Sequence, residues 1–392
     1  MSTPSWVIQA AAAVLALQRL QARSSQNAQQ ATSKLWQALG PVGLWNDGLA
    51  AGVAAREAML DMALVEGMRR AGWSYGKSVV RSMGGAPARG LEPWLPTRLN
   101  TDPFATAMRV ADGYRHKGTL NTTVRPDSFT ADDGGAQARE WLSSMLSNDW
   151  ARLDRDASQA SEASAVRQYE RSGYHTYMRV PHPAASKSGT CGLCIAASTR
   201  TYSTSNLSPL HDHCHCTVVP AFMSGRRADR HGGGGLPATT SADFNDLSNV
   251  EAQTLRRIYM AANRDGSDNA PTRSGLSNVH MDANGNISVN GKPVANVGVN
   301  SEVGPVFASP GSKTTGNWHV PNADDAEQQL RLIMSRSGKL DDLFDRAIDG
   351  HHAEADIFGR RWIFDPIKGL QEAKHSNDLL AQIAQKRLLQ LS

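Results

Sequence analysis

Apolar side chains recur at intervals of three and four over long stretches of the first 180 residues, the period of helices that bury one face. Residues 5–39 carry Trp6, Val7, Leu15, Leu17, Leu20, Leu35, Trp36 and Leu39 and read as one long helix or two. Gly40 and Pro41 are its stop signal. Leu49, Val53, Met59, Leu60, Leu64, Met68 and Trp73 predict a second helix over about 47–82. The Gly- and Pro-rich run 81–100 reads as a loop. Asp102 before Pro103 caps a short helix reaching about Tyr114, because proline at a first turn gives up an N–H that has no helical partner. Residues 121–135 are turn-rich. Trp141, Leu142, Met145, Leu146, Trp150 and Leu153 then mark one face of a helix over about 136–172.

The pattern changes after that. Gly173 to Val180 is aromatic and β-branched and reads as a strand ended by Pro181. Arg200 to Tyr202 is a second short strand, and Thr217 to Val219 a third, ended by Pro220. Gly232 to Gly235 make a flexible break. Residues 236–275 are polar, with one short helix near Val250 to Ala262. Residues 277–300 predict a hairpin: 278–281 and 286–289 flank a turn at Asp282 to Gly285, and Gly291 with Lys292 makes another. Near the end, helices are expected over Asn322–Ser335, Leu340–Ile348 and Ser376–Leu391, with a strand at Arg361–Phe364. The fold class is therefore α+β. A helical region (1–135) is followed by a small module (136–231), a linker with a hairpin (232–300) and a separate small α+β domain (301–392).

Charge narrows the partners. The chain of 392 residues has a formal net charge of +4, with 20% charged residues. Residues 181–231 carry five basic and two acidic groups, and no region has the dense basic stripe of a protein held by phosphate contacts. Arg226, Arg227 and Arg230 form one basic knot, a solvated cluster or a contact for DNA. Val7 to Leu17 is apolar but too short to span a bilayer, and its positive residues, Arg19 and Arg23, follow it rather than precede it as in a secretory signal. A buried helix in a soluble, cytosolic protein is the expectation, with no membrane and no small-molecule substrate.

The four cysteines of the chain lie within twenty-six residues, Cys191 and Cys194 first, then Cys214 and Cys216, with His211, His213 and His215 interleaved. A Cys-x2-Cys turn and a second ligand pair at loop distance suit tetrahedral zinc. Cys191, Cys194, Cys214 and Cys216 are one ligand set. His211 in place of Cys216 is another. Two disulfides are the alternative, which a reducing cytosol disfavours. No His-Glu-x-x-His pattern occurs, and no His-x-Glu accompanies the cysteines, so a closed structural zinc is expected rather than a catalytic one.

The run from Gly173 to Phe222 resembles the phage Mu F-type (MuF-like) minor head protein family of tailed bacteriophages. The resemblance rests on Cys191, Cys194, Tyr202, His211, Cys214, Cys216 and the Val218-Val219-Pro220 strand. It covers about fifty residues. It departs from the family at Asp212, where the family often has proline. It implies a minor capsid protein acting in head morphogenesis, bound inside the virion near the portal vertex after assembly in the host cytoplasm. Its expected partners are the portal protein, and the major capsid or scaffold protein or packaged DNA. The helical region would dock, and the zinc module would brace the strands. Two enzymatic alternatives come with the family. One is fusion to a capsid maturation protease, for which the helical first 180 residues offer no nucleophile elbow. The other is a nuclease- or toxin-like effector at 301–392, where His319, His351, His352, Glu354, Asp356 and Asp365 gather in sequence. A histidine pair beside Gly350 also simply complements a helix dipole.

Overall fold

The computed structural model describes residues 5–91, 93–97, 102–121, 135–175, 177–180, 201–202, 217–220, 279–281, 286–289, 292–296 and 322–391. The described chain is mostly helical, with small antiparallel sheets. Helices α1 (Ser5–Trp45), α2 (Asp47–Ser82), α3 (Pro103–Asn121) and α4 (Gly135–Arg171) come first. Gly40, at φ 69°, breaks α1 where the sequence places its stop, but a further turn of helix carries on to Trp45. Helix α3 outruns its expected end at Tyr114. Its cap is Asp102, whose Oδ1 accepts from the Ala105 N–H at 2.8 Å.

The chain divides into two compact units. The first comprises residues 1–23, 68–91 and 155–320. Val14 and Leu17 of α1, Tyr75, Val79, Val80 and Met83 of α2, and Ala165, Val166 and Tyr169 of α4 form its core with Tyr177, Val218 and Val219. Helices α2 and α4 approach closely: a Cβ at Gly72 would run into the Ser161 backbone, and one at Gly76 into Gln168. Helix α4 closes with Gly173 at φ 88° and the Tyr174 N–H on the Tyr169 carbonyl. The strand expected from Gly173 therefore starts later, as β1 (Tyr177–Val180). Strands β2 (Thr201–Tyr202) and β3 (Thr217–Pro220) flank it in the order β2-β1-β3, both antiparallel to it. A separate meander, β4 (Val279–Met281), β5 (Asn286–Val289) and β6 (Lys292–Asn296), forms where the sequence predicts a hairpin with a second turn.

The second unit comprises residues 24–67, 92–154 and 321–392. Helix α5 (Ala323–Ile348) opens on a capping box, with Asn322 and Asp325 each bonded to the other's backbone N–H. It replaces the two helices expected at 322–335 and 340–348. Leu330, Ile333, Ser337, Leu340, Phe344 and Ala347 keep one buried stripe across Gly338, so the helix has no reason to stop there. A hairpin of β7 (Ala353–Ile357) and β8 (Arg360–Phe364) follows. Strand β7 escapes the sequence pattern because its interior, Glu354 to Asp356, is polar or small. Helix α6 (Leu370–Leu391) begins six residues before its expected start at Ser376.

The described C-terminal residues do not stand apart as the separate domain expected over 301–392. They share a core with α2 and α3. Asp47 accepts from the Ile363 N–H at 2.8 Å, Arg336 pairs with Asp102 at 2.6 Å, and Arg360 pairs with Asp112 at 2.5 Å. Phe104 packs on Trp362, and Gly52 lies so close to Ala373 that a Cβ would overlap it. Trp36, Trp73 and Trp141 on the helices, and Trp94 between α2 and α3, are buried, as core residues should be.

Candidate metal-binding module

The five candidate ligands, Cys191, Cys194, His211, Cys214 and Cys216, lie outside the described residues, as do Arg226, Arg227 and Arg230. The frame to which the ligands are attached is described. Strand β1 pairs Tyr177 with Tyr202 and Met178 with Thr201 on one side, and Val180 with Thr217 and Tyr177 with Pro220 on the other. The chain therefore leaves the sheet at Val180 and re-enters it at Thr201, beside Met178. That connection contains Cys191 and Cys194. It leaves again at Tyr202 and re-enters at Thr217, beside Val180. Cys216 is the residue before Thr217. Both cysteine pairs thus belong to connections of this one three-stranded sheet, Cys191 and Cys194 to that between β1 and β2, Cys214 and Cys216 to that between β2 and β3.

Strand β3 is an edge strand, and all four of its residues are buried. Three helices hold it. Gln18 of α1 donates through Nε2 to Thr217 Oγ1 at 3.2 Å. Tyr75 of α2 and Tyr169 of α4 both donate their hydroxyls to the Val218 carbonyl, at 2.9 and 3.1 Å. Burial pushes both phenols well above their usual range, so they remain donors into alkaline solution. The rings of Tyr75 and Tyr169 meet edge-on at 6.5 Å, and Tyr177 lies 6.3 Å from Tyr169. Sequence reasoning did not single out Tyr75 or Tyr169. The available signal was Gly72 and Gly76, one turn apart around Tyr75, which announces a close helix approach there.

The residues that invite an enzymatic reading in the C-terminal part have a plain setting. His352 Nδ1 lies 2.6 Å from Asp365 Oδ1, and Arg361 pairs with Glu354 at 2.7 Å, all on the exposed face of the β7–β8 hairpin. The Arg361 hydrogen bond holds the Glu354 carboxyl below its usual range. His319 lies outside the described residues. Among the described residues no group of three or more His, Cys, Asp or Glu side chains is arranged to hold a metal. No described helix is long and apolar enough to cross a membrane.

A second buried polar constellation, also missed from sequence, lies in the other unit. Arg152 bonds Glu57 at 2.6 Å, Asp61 at 2.6 Å and Asp149 at 2.7 Å, and the Trp36 indole donates to Glu57. Burial, then the Asp149 carboxylate, push the Glu57 carboxyl well above its usual range against the pull of Arg152 and Trp36. Comparisons of the chain with protein-family models, with curated proteins and with solved structures gave no match.

Proposed function

We propose that this chain is a minor head protein of a tailed phage, acting inside the capsid near the portal in head assembly and in genome packaging or release. Its role is structural rather than catalytic, and residues 173–222 form a module braced by one zinc ion. The clustering of all four cysteines in the two connections of the β2-β1-β3 sheet supports the metal part of this reading. The Cys-x2-Cys and His-x2-Cys-x-Cys spacing, followed by a Val-Val-Pro strand, carries the family part. Cys191, Cys194 and Cys214 would hold the ion with Cys216 or His211. When bound, the ion supplies cross-linking of two connections that have little apolar material of their own.

The partner would be the portal protein, with the major capsid or scaffold protein as a further contact. Arg226, Arg227 and Arg230 are placed in sequence to meet packaged DNA. The experiment is co-expression of the full chain with the portal and major capsid proteins of the same phage genome, followed by purification of assembled heads. The chain is expected in the heads at low copy and absent from heads formed without the portal. Its exclusion from heads in both cases would overturn the proposal.

A further inference from the structure

Strands β7 and β8 form a two-stranded sheet, so each has one neighbour and one outer edge. The two edges differ. On β8 the Ile363 N–H donates to Asp47 Oδ2 at 2.8 Å, so it points away from β7, and Asp47 fills that edge. Ile363 lies directly opposite Glu354. Residues directly opposite in an antiparallel pair turn their backbone groups either toward each other or both outward, and the sense alternates along the strand. The N–H and C=O of Glu354, and of Asp356 two residues on, therefore face out from the β7 edge. Among the described residues none bonds to them. Arg346 reaches the His352 carbonyl at one end of this stretch, and the Phe358-Gly359 turn closes the other.

The side chains along this edge say what suits it. Ala353 and Ile357 are buried, whereas Glu354 and Asp356 are exposed. On the exposed face Glu354, Asp356 and Asp365 stand against Arg361 and His352, an acidic excess. Two copies related by a two-fold axis would pair β7 antiparallel with itself. Every such register through Glu354 and Asp356 sets one acidic side chain opposite another, which is unfavourable. We propose that the β7 edge receives an extended segment of a partner protein as a third strand, with basic side chains opposite Glu354 and Asp356. Strand addition draws affinity from main-chain bonds and selectivity from alternate side chains. The outward backbone groups supply the first and the two carboxylates the second. Charges that keep copies of an edge apart here select a strand of opposite charge. The inference stands apart from the metal reading.

The test uses the full chain and a fluorophore-labelled hexapeptide of alternating lysine and valine, with a glutamate–valine peptide as the counterpart. Binding is read by anisotropy, and hydrogen exchange is resolved to single residues. The lysine peptide is expected to bind saturably and to slow exchange at the Glu354 and Asp356 amides. Glu354→Pro removes an outward N–H and no bond of the hairpin, so it should weaken binding by up to about tenfold. Asp356→Lys should weaken the lysine peptide and strengthen the glutamate one. If Glu354→Pro does not fold, a lysine peptide methylated on its backbone nitrogens tests the same bonds on the wild-type chain, and should bind more weakly. No saturable binding would overturn the proposal. So would binding without protection of the two amides, or equal binding of the lysine and glutamate peptides.

Discussion

One guanidinium holds three carboxylates inside the second unit, with Arg152 on α4, Glu57 and Asp61 on α2, and Asp149 one turn before Arg152. All four side chains are buried, Glu57 completely. Burial and the neighbouring Asp149 carboxylate push the Glu57 carboxyl well above its usual range, which favours a bound proton in the folded state. The folded state binds that proton more tightly than the unfolded chain does. The stability it confers is complete below the ordinary carboxylate range and is lost as pH rises through the raised value. Glu57→Gln mimics the protonated acid and should flatten this slope. Urea midpoints measured from mildly acid to alkaline pH test it, and parallel curves for the two proteins would contradict it. Arg152→Met should cost about 3–5 kcal/mol, since it strands buried carboxylates without their cation. A loss below about 1 kcal/mol in the same denaturation series would mean that the network is looser than its distances imply.

At the scale of elements, the close crossing of α2 and α4 should depend on Gly72. Gly72→Val would push a branched side chain into the Ser161 backbone and force the helices apart, a change costing about 1–3 kcal/mol or more. Gly67→Ala, at an open position on the same helix, is the control and should stay near neutral. Equal effects from the two would contradict the close approach. The elements themselves were largely legible. Helix α2 follows its apolar stripe to both ends, and the break in α1 falls on Gly40. Legibility failed where local signals competed with packing. Gly338 looks like a helix end, yet α5 runs through it because the stripe on either side stays in register. Strand β7 has a polar interior and is held by pairing with β8, which no local pattern announces. The cysteine spacing is local and readable in the chain, but the cysteines lie outside the described residues. The tyrosines on Val218 and the carboxylates on Arg152 were not readable, because each grouping joins residues that are far apart in the chain and meet only on folding.

For the whole molecule, the largest departure from the sequence pattern is the C-terminal region. Residues 322–391 look self-contained in sequence but bury Trp362 and Phe364 alongside Phe104 and the start of α2. Expressed alone, residues 301–392 should lack a cooperative unfolding transition, whereas a fragment that melts cooperatively would restore the independent domain. This also bears on the effector alternative, because a region that needs α2 and α3 for its core is poorly suited to act after release. The central claim is that the four cysteines are reduced and share one structural zinc. Elemental mass spectrometry on protein purified without added metal, paired with thiol counting in denaturant, tests it most directly. About one zinc per chain with all four thiols free on unfolding is the expected result. Metal-free protein without free thiols would mean two disulfides, and would contradict the account.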